Sequence, residues 1–188
     1  KLKSDVSAAA LILQDMMGRR YWHRSIALTG SVADFGPDGK SIIGGQVHQL
    51  CLLGKEFNIP RITIETNGIG QFAPAILKAC LKQMSLQCGV AEVNASTSKN
   101  KRILEAFEPL IKSNMLWAHT SVLQGDVWEQ MRDWNPAIAD QPHDFLDAGA
   151  GAITDTPERL RQIVGNPTGG ARNDWRPDGG VHKVELEL

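Results

Sequence analysis

Acidic side chains far apart along the chain, each where a secondary-structure element is expected to begin or end, are the first chemistry this sequence offers. Glu65 closes Arg61-Ile62-Thr63-Ile64-Glu65, Asp144 and Asp147 follow Pro142-His143, and Asp5 stands near the start. Carboxylates gathered from separate elements are the oxygen ligands that hard divalent cations require. Two such cations about 4 Å apart can generate a nucleophilic water and neutralise a scissile phosphodiester. Glu65 is the most informative of the set. An acid at the C-terminal end of an internal strand, on the edge where α/β folds gather ligands, costs stability unless it binds something. It also reads as a solvated strand-end glutamate. Asp144 reads equally as a helix N-cap or first-turn acid, stabilised by the helix dipole by about 0.3–1 kcal/mol. Asp147 lies one turn further on the same face, a spacing that permits joint metal binding without demanding it.

Basic residues form the second group. Lys99, Lys101 and Arg102 open an expected helix after Ser96-Thr97-Ser98. Cationic side chains and free backbone N–H groups at a helix start both attract phosphate, although a solvated basic first turn has the same composition. Trp117, Trp128 and Trp134 have the flat faces that stack on bases; the expectation is that they pack in the core. His143, a lone loop histidine, is not expected to ligate metal. No full Gly-x-x-x-x-Gly-Lys-Ser/Thr phosphate loop and no nucleophile-elbow motif is present, which argues against P-loop ATP hydrolysis and Ser-His-Asp catalysis.

These groups need a scaffold, and the hydrophobic pattern supplies one. Aromatic and branched residues on either side of Gly18-Arg19 predict an antiparallel hairpin from Val6 to Leu28, although Ala8 to Ala10 would also suit a helix. Ser31 to Gly45, rich in glycine, reads as a loop. Val47, Leu50, Cys51 and Phe57 share one helical face. Arg61 to Glu65 is the clearest strand, with Ile62 and Ile64 on one side and Thr63 and Glu65 on the other. A helix from about Gln71 to Met84 is expected to bury Phe72, Ile76, Leu77, Cys80, Leu81 and Met84. Val90 to Asn94 reads as a strand, Ile103, Phe107, Leu110 and Ile111 as a helical stripe, and Met115 to His119 as a short strand. Asp126 to Trp134 and His143 to Thr154 read as helices, the second built of small residues able to lie close against a sheet. The order predicts an α/β fold, a sheet with helices on its faces, over residues 1–164. Beyond Val164 glycine and proline stand among polar residues, and 165–188 is expected to be a flexible tail.

The 188 residues suffice for one sizeable core, and an apolar fraction of 42% with 22% charged residues is that of an ordinary globular domain. With a formal net charge of −1, any nucleic-acid surface has to be a local patch rather than a global field. Cys51, Cys80 and Cys88 lack the paired short spacing of zinc sites and read as reduced core thiols. Without a long apolar run or a signal segment, the expectation is a soluble intracellular protein with no membrane partner.

The order of the segments resembles the C-terminal nuclease of tailed-phage terminase large subunits. The resemblance rests on Lys3-Ser4-Asp5-Val6-Ser7-Ala8-Ala9, Ile62-Thr63-Ile64-Glu65-Thr66-Asn67-Gly68, Ser98-Lys99-Asn100-Lys101-Arg102-Ile103 followed by Glu108-Pro109, and His143-Asp144-Phe145-Leu146-Asp147-Ala148. It implies a ribonuclease-H-like mixed sheet, two Mg²⁺ or Mn²⁺ ions, and cutting of concatemeric viral DNA in the host cytoplasm. Glu65 would be the central-strand metal ligand, Asp144 the late metal aspartate with Asp147 assisting, and Asp5 the second acid of the first motif. Lys99 and Arg102 would be the family's basic pair. Double-stranded DNA, a portal and a small terminase subunit are the implied partners. The family's leading metal aspartate stands on a strand several residues before the acid matched by Asp5. The expectation is that this strand lies upstream of the residues given, leaving a gap in the sheet and an incomplete metal site; the alternative is that Asp5 has replaced it. A junction resolvase of the same fold, or a noncatalytic module docking on portal or DNA, would carry the same pattern.

Overall fold

Turn chemistry and side-chain alternation account for the strands in the computed structural model, which describes residues 7–66, 72–138 and 141–155. Asp5 and the tail expected from Gly165 lie outside the described residues. β1 (Ser7–Gln14) and β2 (Arg20–Leu28) pair antiparallel, so the alanine-rich start is strand rather than helix. Gly18 takes φ +84° in the turn between them, a conformation that a side chain would strain. The Asp15 carboxylate braces the same turn, accepting the backbone N–H groups of Met17 and Arg19, each at 2.9 Å. β3 (Asp34–Phe35) and β4 (Ile42–Gly44) form a small hairpin within the segment expected to be a loop. Its glycines mark the turn and the exit of that hairpin, a role that composition does not separate from irregular chain.

β5 (Arg61–Glu65) and β6 (Gly89–Val93) pair in parallel, joined by α2 (Ala73–Gln83). β7 (Leu116–Ala118) follows α3 (Lys99–Lys112) and adds in parallel to β2, giving the order β1-β2-β7. Among the described residues no ladder joins β1 to β5, so the mixed sheet is present as separate ladders. The remaining helices among the described residues are α1 (Gly45–Glu56), the short α4 (Thr120–Leu123), α5 (Asp126–Asp133) and α6 (Asp144–Thr154).

The β1-β2-β7 and β5-β6 ladders each bury one face against helices. Ile62 and Ile64 of β5 join Val47 and Cys51 of α1 and Leu77, Cys80 and Leu81 of α2 in one cluster. Trp22 of β2 centres the other, with Ile103 and Phe107 of α3, Val127 of α5, and Phe145, Leu146, Ala150 and Ile153 of α6. Cys51, Cys80 and Cys88 are free thiols, and burial together with the neighbouring Cys80 pushes the Cys51 thiol up from its ordinary value.

Three burial expectations are corrected: Ile111, read into the α3 stripe, is more than half exposed beside the partly buried Leu110. Phe72 is 73% exposed, because α2 begins only at Ala73 and Phe72, as its N-cap, points off the buried stripe. Trp117 and Trp128 are half-exposed; Trp134 alone of the expected three packs against the Trp22 cluster. Trp117 lies on the strand face opposite Leu116 and Ala118, which take the core side.

Candidate functional site

Strand alternation points Glu65 out of the aliphatic cluster. Since Ile62 and Ile64 face α1 and α2, Arg61, Thr63 and Glu65 must face the other way, and their partners show what lies there. Arg61 pairs with Asp155 at 2.7 Å, and the Thr63 hydroxyl donates to the same carboxylate at 2.5 Å. The C-terminal end of α6 is thus tied to β5. Glu65, one strand step further, meets the Arg102 guanidinium at 3.2 Å.

Arg102 is the centre of the arrangement. Its Nε and Nη2 donate to Asp147 Oδ1 at 2.8 and 2.5 Å, and Nη2 donates to Oδ2 at 2.6 Å. One guanidinium nitrogen therefore bridges a β5 glutamate and an α6 aspartate, and the separation of the two carboxylates is capped by the sum of its distances to them. Asp147 is 12% and Arg102 14% exposed, whereas Glu65 is 44% exposed. The planar fork explains why arginine fits this position: lysine offers no bidentate match to a carboxylate. One turn earlier on α6, Asp144 takes Lys99 at 3.5 Å. Lys101 points elsewhere on α3, towards Glu105 at 3.7 Å.

The sequence explains how α6 reaches this position. Its small residues let it lie against the sheet: a Cβ at Gly149 would stand 2.6 Å from Cη2 of Trp22. Gln130 of α5 holds its start, the side-chain oxygen accepting the N–H groups of Phe145 and Leu146 at 3.0 and 3.3 Å. That bond consumes donors that an anion would otherwise find at a helix start. The N-cap is His143, not Asp144, so Asp144 is a first-turn acid. His143 is buried, with Nδ1 against the Gln141 carbonyl and, among the described residues, no partner at Nε2. From the first turn of α3, Asn100 donates to the carbonyl oxygens of Pro136 and Ile138 at 3.2 and 2.9 Å, fixing the loop that leads into α6.

Of the residues the sequence singled out, Glu65, Asp147 and Arg102 form one connected group, Asp144 with Lys99 adjoins it on the same two helices, and Lys101 stands apart. Asp5 lies outside the described residues. Sequence reading missed Gln130, Asn100 and Asp155, whose partners are remote in the chain; no local pattern marks them. Among the described residues no three of His, Cys, Asp and Glu already converge as an ion-binding group. The donors nevertheless fit a hard divalent cation in kind: carboxylate oxygens from two elements meet at one positive charge, with the guanidinium as the stand-in cation.

The family model of the terminase of bacteriophage T7, ribonuclease H-like domain, matches residues 8–116. That span contains Glu65, Lys99, Lys101 and Arg102 and stops before Asp144 and Asp147. No curated protein matches the chain. Among the described residues no helix is long and apolar enough to cross a membrane. The match covers more than half of the sequence and runs from β1 to the first residue of β7, so the chain belongs to the terminase ribonuclease H-like family.

Proposed function

We propose that this chain is the nuclease domain of a genome-packaging terminase, a divalent-metal-dependent endonuclease that cuts concatemeric viral DNA. The observation that carries the reading is the bridge of Glu65 and Asp147 through Arg102. Acids remote in sequence meet at the C-terminal end of a parallel strand, where ligands of α/β folds bind. Family membership supports the nuclease class.

In this reading Glu65, Asp147 and Asp144 hold two Mg²⁺ or Mn²⁺ ions, which supply an activated water and neutralise charge on the phosphate. The chain's own part is to place the ligands. β5 presents Glu65 at its end, Gln130 and Gly149 seat α6, and the first turn of α3 offers Lys99 and Lys101 to the DNA backbone. Phosphate contacts of that kind position a duplex without reading its sequence, in keeping with low cleavage-site preference. Portal and small terminase subunit are the proposed partners, and the host cytoplasm the place of action.

The test is nicking of supercoiled plasmid in Mn²⁺ by purified protein extended through the family's leading strand. Cleavage should appear with Mn²⁺, disappear with chelator, and be abolished by Glu65→Ala and by Asp144→Ala. Cleavage that survives both substitutions would defeat the assignment. Absence of cleavage and of Mn²⁺ binding in the extended protein, with DNA or portal binding retained, would give the docking module instead.

A further inference from the structure

We propose that Arg102 is a positioning residue that acts as the resident counter-cation of the metal site, holding Glu65 and Asp147 together until a divalent ion takes its place. The inference rests on the nuclease reading and assigns Arg102 a different task from the phosphate contact its sequence position suggests.

The geometry puts the guanidinium in direct competition with an ion for Asp147 Oδ1. Asp147 Oδ1 already accepts both Nε and Nη2, and Oδ2 accepts Nη2. A carboxylate oxygen has about two lone-pair sites, so Oδ1 is filled. Mg²⁺ binds oxygen at about 2.0–2.1 Å in a near-octahedral shell and tolerates little distortion. An ion cannot approach Asp147 Oδ1 at that distance while two N–H groups point at the same atom. Glu65 meets the same Nη2 that serves Asp147, so withdrawal of one guanidinium removes a contact from both acids at once. Lys99 at Asp144 is a weaker guard: its 3.5 Å contact comes from a half-exposed side chain and has no fork.

Opposing effects follow from one substitution. Without Arg102, Glu65 and Asp147 face each other with no shared positive charge, which loosens the metal-free site. The same loss removes the competitor, so a divalent ion binds more tightly. A residue that merely braced the fold would, when removed, weaken metal binding along with stability.

Isothermal titration calorimetry with Mn²⁺, on the protein extended through the family's leading strand, decides between them. Arg102→Gln is expected to bind Mn²⁺ about tenfold more tightly than the native chain, the scale on which groups beside metal ligands act. Its metal-free melting midpoint should fall and recover when Mn²⁺ is added. Arg102→Lys, which keeps the charge and loses the fork, should move affinity in the same direction by a smaller factor. Arg132→Gln, in an exposed pair with Asp133, should leave it unchanged. In the native chain, solvent exchange of the Arg102 Nε–H should quicken on saturation with Mg²⁺. Equal or weaker Mn²⁺ binding by folded Arg102→Gln or Arg102→Lys, or unchanged Nε–H exchange at saturation, overturns the proposal and leaves the nuclease reading intact. Failure of the extended native protein and of every variant in it to bind Mn²⁺ overturns both.

Discussion

Trp22→Ala is expected to cost about 3–5 kcal/mol of folding stability, the range for emptying a buried aromatic site, and to lower the melting midpoint by roughly 10 °C in a chain of this size. Trp22 is 1% exposed, stacks on Phe107 with ring centroids 5.6 Å apart, and donates its Nε1–H to the Ser25 hydroxyl at 2.8 Å. It is also the surface on which α6 rests. A Cβ at Gly149 would lie 2.6 Å from Cη2 and 2.9 Å from Cζ2 of its ring, so Gly149→Ala must push helix and indole apart, at about 1–3 kcal/mol. The two effects share a cause and should not add. Trp22→Phe with Gly149→Ala should be less destabilised than the sum of the single changes, since the smaller ring leaves room for the methyl group. Urea denaturation of the single and double variants measures this. Full additivity would mean that α6 is not seated on the indole. The consequence extends to function, because Asp144 and Asp147 ride on the same helix and move with it.

The residues that alternate or repeat locally were the legible ones. Ile62 and Ile64 against Thr63 and Glu65 sort onto opposite faces in the structure as their period of two predicts, and this alternation aims Glu65 at α3. The small residues of α6 predicted a helix lying close to a sheet, and Gly149 against Trp22 is that approach. What remained unread depends on neighbours brought in by the fold. Gln130 has no unusual surroundings in sequence, yet it caps α6 from another helix. Phe72 looked like core because the helical pattern ran through it, but the helix starts one residue later and the ring is left outside. Trp22, which organises the larger core, lies in a stretch with Tyr21, His23 and Arg24 that shows no clear apolar alternation. A bulge at His23, which has no partner in the ladder where Leu11 faces Arg24 and Ile12 faces Trp22, shifts the register.

The basic residues at the start of α3 show the same limit most clearly. From sequence, Lys99, Lys101 and Arg102 are alike: cations in a first turn after a polar stretch. The fold separates them, because a helix carries successive residues to different faces. Arg102 turns inward to the acids, Lys99 stands beside Asp144, and Lys101 goes to the exposed side with Glu105.

Asp147→Asn provides the second large effect. It removes the negative charge from a pair in which both side chains are mostly buried, and the cost of leaving Arg102 without that partner is about 3 kcal/mol, the lower end for breaking a buried pair. The lower end applies because Glu65 still faces the guanidinium at 3.2 Å. Glu65→Gln, at a far more exposed contact, should cost under about 1 kcal/mol. The asymmetry separates holding Arg102 in place from merely lying near it. Replacing both buried partners, Arg102→Met with Asp147→Leu, should recover much of the loss from Asp147→Asn, since desolvation of the two charges vanishes along with their attraction. Denaturant midpoints for the three variants test the argument. If Asp147→Asn costs no more than Glu65→Gln, the fork to Asp147 is not what fixes Arg102. The acids of β5 and α6 would then be held near one another by backbone packing alone.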